Sequence, residues 1–222
     1  ENGNSPLIEA SDFGNIGIVG LLIAANAQIE HKNSNGTTAL LMASKEGNYM
    51  VAQLLIKLDS DLNRKNKRQE SALTLAAKGG YTAIAGLLLD AHADPDIQNI
   101  DKDSPLILAA RGGYKWLVQL LVDKNAKVDH QNEIGNSALM EATRKNNFAI
   151  VDILIKAKAK VNLKNRFDDS AIVCAAQNGS VKMVNRLLDA KAHDLYKAKE
   201  EARKKEYHTV EQILKYRMEH GS

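Results

Sequence analysis

The sequence predicts an all-α repeat solenoid, and three markers recurring at one spacing predict it. A hydroxyl residue followed by Pro or Ala and then an aliphatic residue occurs at Ser5-Pro6-Leu7, Thr38-Ala39-Leu40 and Ser71-Ala72-Leu73. It returns at Ser104-Pro105-Leu106, Ser137-Ala138-Leu139 and Ser170-Ala171-Ile172, a step of 33 residues each time. Nine residues after each hydroxyl stand Gly14, Gly47, Gly80, Gly113, Asn146 and Gly179. Five residues before it, from the second unit on, stand Asn33, Asn66, Asn99, Asn132 and Asn165. Markers sharing such a period mean stacked units that bury their apolar faces on one another.

Each unit reads, in order, as a first helix, a turn, a second helix and an extended excursion. The Ser or Thr supplies an N-cap oxygen, and Pro6 and Pro105 suit the first helical turn. Alanine pairs such as Ala76-Ala77 and Ala109-Ala110 keep one helix face thin, so the next unit approaches closely. The Gly stops the first helix in a left-handed conformation. The second helix carries a stripe such as Ile84, Ala85, Leu87, Leu88 and Leu89, wide enough to be buried between neighbours. Segments like Val128-Asp129 and Val161-Asn162 then lead into a polar turn, where the recurring Asn bonds its own backbone.

These motifs resemble the Thr-Pro-Leu…Ala-Ala…Gly…Leu-Leu pattern of ankyrin repeats, with six units from Ser5 to about Leu195. The resemblance implies an ankyrin stack with short β-hairpin projections, one domain over 1–222 with repeats starting near 5, 38, 71, 104, 137 and 170. A shortened cap is expected over 196–222, where Lys199 takes a slot normally given to Leu; its Lys and Glu content suits a solvated end. The family's usual His three residues after the hydroxyl is replaced by Ile8, Leu41, Thr74, Ile107, Met140 and Val173. Its Gly after the second helix is replaced by Asn26, Asp59, His92, Asn125, Lys158 and Lys191. The two lysines should be strained by up to ~1 kcal/mol each if the backbone there is left-handed.

Hydrophobic content of 44% and charged content of 26% are those of a globular chain, and 5% aromatics with one Trp require an aliphatic core. A formal charge of +3 is too small to argue for nucleic acid. The longest apolar run, Ile16 to Ala27, is broken by Gly17, Gly20 and Asn26 and falls short of the roughly 18 residues of a spanning helix, so no membrane insertion is expected. Cys174, the one cysteine, excludes an internal disulfide; beside Ala175 and Ala176 it reads as a packed thiol. No catalytic constellation, cofactor or metal is implied: the histidines have no ligand spacing, and Gly79-Gly80 and Gly112-Gly113 belong to the repeat's turn with no Lys-Ser/Thr following. Lys124, Lys127, Lys156, Lys158 and Lys160 cluster where second helices end, but interspersed Asp123, Asp129 and Asp152 favour a solvated edge over a polyanion site.

Function must then come from surface. In the family, partners are gripped on the concave face by hairpin tips and by exposed ends of first helices. Carried over unit by unit, those slots are Phe13 in the first; Lys45 and Glu46 in the second; Lys67, Arg68 and Lys78 in the third; Ile100, Asp101 and Arg111 in the fourth. The fifth adds Ile134, Arg144 and Lys145, and the sixth Arg166 and Phe167. Tyr81, Tyr114 and Trp116 lie just past the turn between helices. Two readings stand for Trp116: an interface anchor, since Trp, Tyr and Arg dominate interface energetics, or a ring laid flat on a neighbouring helix. Two also stand for Glu141, at a slot held by Met42, Leu75, Leu108 and Cys174: a partner contact, or a carboxylate paired with Arg111 or Arg144. Ile100, Ile134 and Phe167 should form an apolar ladder about 20 Å long.

The reading that follows is a non-enzymatic module, monomeric on its own, binding one folded protein as an inhibitor, immunity or protective factor. Its rival is a recruitment fragment of a larger protein. A start at Glu1 without Met fits an exported mature chain or a fragment, and on that basis favours the periplasm over the cytoplasm.

Overall fold

The structure, a computed structural model, describes residues 2–58 and 60–220; Asp59, one of the positions expected to be left-handed, lies outside the described residues. Six first helices are α1 (Pro6–Asp12), α3 (Ala39–Glu46), α5 (Ala72–Gly79), α7 (Pro105–Gly112), α9 (Ala138–Arg144) and α11 (Ala171–Gln177). Each is followed by a second helix: α2 (Ile16–Ala24), α4 (Tyr49–Lys57), α6 (Thr82–Asp90), α8 (Lys115–Asp123), α10 (Phe148–Lys156) and α12 (Val181–Asp189). The chain closes with α13 (Leu195–Lys204) and α14 (His208–His220).

The repeat chemistry acts as its residue types require. Ser5, Thr38, Ser71, Ser104 and Ser137 each accept from the backbone N–H three residues on, at 3.2–3.4 Å. Ser170 departs: its hydroxyl donates instead to Asp194 Oδ2 at 3.0 Å, tying the sixth unit to the start of the cap. Gly14, Gly47, Gly80, Gly113, Asn146 and Gly179 all have positive φ, from +53° to +80°. At Gly47 the requirement is double, because a Cβ there would also lie 2.5 Å from the Tyr81 ring. Asn26, His92, Asn125, Lys158 and Lys191 adopt φ of +60° to +68°, so the two lysines do carry left-handed backbone.

A further periodic device emerges at the start of each excursion. The side chains of Glu30, Asn63, Asp96, Asp129 and Asn162 accept from the backbone N–H of Asp61, Asp94, Lys127, Lys160 and His193 respectively, at 2.7–3.2 Å. Each bond satisfies a donor of the following unit that the loop leaves unpaired.

The described residues form two compact units. The first runs to Gly112 and takes in Trp116–Lys127. Within it α1, α3, α5 and α7 stack in sequence, α2, α4 and α6 do the same, and α1, α3 and α5 each pack on their own second helix. Its core is aliphatic: Leu41, Leu73 and Ile107 from first helices, and Leu55, Ile84, Leu88 and Leu121 from second helices, are wholly buried. Ala76, Ala77, Ala109 and Ala110 are buried to zero exposure, which is the thin face that close stacking needs. The second unit holds Gly113–Lys115 and Val128 onward. There α9, α11 and α13 stack, α12 meets α14, and Ala198, Ala202, Val210 and Leu214 of the cap complete the core. The cap's first helix begins at Leu195, one residue ahead of the expected boundary at 196, and with 10 residues it is longer than its counterparts.

The hairpin projections are turns. Among the described residues the only ladder element is an isolated bridge between Gln131 and Ser137.

Candidate functional site

The loop tips are built by one side chain each. Asn33, Asn66, Asn99 and Asn165 use Oδ1 to accept two backbone N–H groups, two and four residues on, at 2.8–3.0 Å. Asn132 accepts from Asn136 in the same way at 2.9 Å. The Asn backbone closes the loop by donating to the carbonyl four residues on, as from Asn66 to Glu70 at 3.0 Å. A second left-handed residue completes each turn: Gly3, Gly36, Gln69, Lys102, Gly135 and Asp168, all with φ between +56° and +82°. Between the Asn and that residue stand two positions whose side chains make none of these bonds. They are the slots to which the family resemblance assigns recognition.

In the first unit these slots hold Ser34-Asn35, Lys67-Arg68 and Ile100-Asp101, joined tip to tip by backbone bonds from Lys67 N to the Asn35 carbonyl (2.9 Å) and from Ile100 N to that of Arg68 (3.2 Å). In the second they hold Glu133-Ile134 and Arg166-Phe167, joined from Arg166 N to the Ile134 carbonyl at 2.9 Å. Ile134 and Phe167 therefore share a register, and both are exposed. Ile100 is exposed but stands one slot earlier, equivalent to Glu133 and Arg166. The expected three-rung ladder is corrected to two rungs in this unit, because successive positions of a tight turn point their side chains differently.

Phe167 is 65% exposed on a fixed backbone: its N–H donates to Asn165 and its carbonyl accepts from Lys197 Nζ at 2.5 Å. Lys197 also pairs with Asp169 at 3.0 Å. The apolar pair is rimmed by the Arg166–Glu133 ion pair and by Lys164–Asp168 at 3.0 Å.

The first-helix ends carry charge held in place. Arg111 binds Asp103 through both guanidinium nitrogens, at 2.6 and 2.8 Å, with the Asp103 side chain buried. Lys78 reaches Glu70 at 3.5 Å, and Arg144 reaches Asp169 at 3.9 Å. In the third and fourth repeats a basic residue seven after the hydroxyl and an acid just before it therefore form a clamp from helix end to loop base, whereas Arg144 reaches the acid that precedes the next repeat's hydroxyl. The signal was present in the sequence as a fourth recurring pair, and pattern reading passed over it. Lys45 instead pairs with its neighbour Glu46 at 2.5 Å, a hydrogen bond that raises its pKa.

Of the other candidates, Phe13, Lys67, Arg68, Lys145 and Arg166 are exposed, and Tyr81 and Tyr114 are half-buried. Tyr81 lies against Gly47 and Gly79, where it packs the turn between helices. Trp116, at the start of α8, is 72% exposed. Glu141 is a correction: at 7% exposure it is buried, and it accepts from Asn136 Nδ2 at 2.9 Å, so it braces a loop base and presents no surface to a partner. Asn136 in turn accepts from Asn165 Nδ2 at 2.8 Å, linking adjacent loops.

The basic edges are threaded with acids. Lys124 pairs with Asp90 (2.7 Å) and Lys127 with Asp96 (3.6 Å) in the first unit, and Lys160 with Asp129 (3.8 Å) in the second. Burial pushes the Cys174 thiol above its ordinary range, with nearby Arg144 offsetting only part of the effect. Among the described residues no three His, Cys, Asp or Glu side chains are grouped to hold a metal, and no helix is long and apolar enough to cross a membrane.

Stacked helical pairs with variable side chains at fixed loop tips define a repeat solenoid of the protein-binding kind. A family model described as ankyrin repeats, in three copies, matches residues 1–66, 56–132, 73–165, 106–200 and 139–216, and the chain belongs to the ankyrin repeat family. Members of this family are protein–protein interaction modules, typically without enzymatic activity. No curated protein matches the chain.

Proposed function

We propose that this chain binds one folded protein through its loop tips and first-helix ends and acts on it as an inhibitor, immunity or protective factor. The observation that carries the binding site is the Ile134–Phe167 pair: two apolar side chains held outward on turns whose geometry does not need them. Exposed apolar groups on a rigid backbone bind with little ordering cost. Arg68, Arg166 and Trp116 are of the residue types that dominate interface energies. The 33-residue register from Ser5 through the sixth repeat supports reading these repeats as one array. A module with a single binding surface occludes or shields its partner more simply than it bridges two.

The partner is found by capture from native extract and mass spectrometry. Replacing Ile100, Ile134 and Phe167 by Ser should then lower affinity for it at least 100-fold, about 2.7 kcal/mol, with the melting temperature barely changed. A variant that melts markedly earlier yet still binds would make these side chains structural. Inhibition is read separately, by assaying the partner's activity with the chain at stoichiometric ratio; full activity in the complex would remove the inhibitory role and leave binding.

A further inference from the structure

The tip of the third repeat presents two adjacent cations. Lys67 and Arg68 are both exposed, and among the described residues neither has an ion-pair partner. Arg166, at the Lys67 slot of the sixth repeat, is by contrast paired with Glu133. The backbone under the two cations is pinned. Lys67 N donates to the Asn35 carbonyl at 2.9 Å, Arg68 N donates to Asn66 Oδ1 at 2.9 Å, and the Arg68 carbonyl accepts from Ile100 N at 3.2 Å. Beside them lies a cleft of about 430 Å³ whose walls include the tips at 33–35 and 66–68 and, from α3, half-buried Met42 and exposed Lys45. Its charged lining is Lys45, Lys67 and Arg68 against one carboxylate, Glu70. Glu70 is already held by Asn66 Nδ2 at 3.0 Å and by Lys78 Nζ at 3.5 Å, and Lys45 is held by Glu46. The positive surplus therefore rests on Lys67 and Arg68.

We propose that this cleft receives an acidic stretch of the protein partner, with Asp or Glu side chains reaching Lys67 and Arg68. The assignment rests on the protein-binding reading above and names the chemistry of the bound segment. Arg68 offers a planar fork that takes a carboxylate through two nitrogens, and Lys67 a compact point charge. Because the backbone that bears them is fixed, binding orders side chains alone. A phosphate chain suits the cleft less well. Glu46, Asp12 and Glu70 all attract the Lys45 ammonium, so they stand near the cleft and would repel a ligand charged at every residue. An acidic peptide carries its charges further apart, and its methylenes fit against Met42.

The probe is a short capped peptide of alternating Asp and Glu, titrated into the isotope-labelled whole chain and followed by NMR beside its Asn-Gln counterpart. The expected result is saturable shifts at 34–36 and 66–70, absent with the Asn-Gln peptide and weakened at least 10-fold as salt rises from about 50 to 500 mM. The double variant Lys67→Ser, Arg68→Ser alters side chains that make none of the turn's hydrogen bonds. It should bind the acidic peptide at least 10-fold more weakly with an unchanged circular dichroism melt. Equal binding of the Asn-Gln peptide, an undiminished double variant, or the same shifts at the same affinity with inorganic phosphate would each overturn the proposal. Against the captured partner the double variant should again lose at least 10-fold in affinity. Full affinity there would overturn the cleft's role and leave the protein-binding reading standing, whereas a wild-type chain that retains no protein from extract would overturn both.

Discussion

Ser44 is wholly buried on α3, and its hydroxyl has no hydrogen-bond partner, whereas Ser11 and Thr143 at the same slot donate to the carbonyls of Leu7 and Leu139. Ala77, Ala110 and Ala176 fill that slot elsewhere. Ser44→Ala should therefore stabilise the chain by ~1 kcal/mol, read as a higher denaturant midpoint at constant slope. Arg111→Ala takes the forked donor from the buried Asp103 carboxylate and should cost about 2–3 kcal/mol; Lys at 111 should recover only part of it, because an ammonium cannot reproduce the paired geometry. Lys158→Gly and Lys191→Gly each relieve left-handed strain at the cost of a freer unfolded chain, for a net gain of a few tenths to ~1 kcal/mol in thermal denaturation. The Cys174 thiol, buried and with its pKa raised, should resist iodoacetamide at pH 8 in the folded protein and react once the chain is unfolded.

At the scale of the element, helices and turns were legible in the sequence because each depends on one residue type at one place. A hydroxyl before Ala or Pro caps a first helix, Gly ends it, and Asn shapes the loop. The second left-handed position in each loop was hidden, because Gln69, Lys102 and Asp168 stand where other units show Gly. The helix-end clamp was hidden too, since Lys78–Glu70 and Arg111–Asp103 are eight residues apart and meet only once the loop folds back. Exposure depended on neighbours and could not be read from composition. Glu141 stood open between a partner contact and an internally paired carboxylate, and it proved to brace a loop base. α2 looked like any second helix, yet only Val19 of its nine residues is buried.

At the scale of the molecule, the cap seals the second unit: Ala198 and Ala202 lie under α11, and Lys197 holds the Phe167 carbonyl. Removing residues 195–220 should lower the melting temperature on the order of 10 °C and expose apolar surface to a fluorescent dye, measured by calorimetry and dye binding. The loop architecture has a broader consequence. An Asn side chain and one left-handed residue write the shape of every tip, and the two residues between them have no part in writing it. Folding and recognition are thus spelled in different letters of the same short word. Selection can rewrite positions such as 34–35, 67–68 and 166–167 without consulting the rest of the chain, so a library randomised only there should remain folded almost throughout while its members diverge in what they hold.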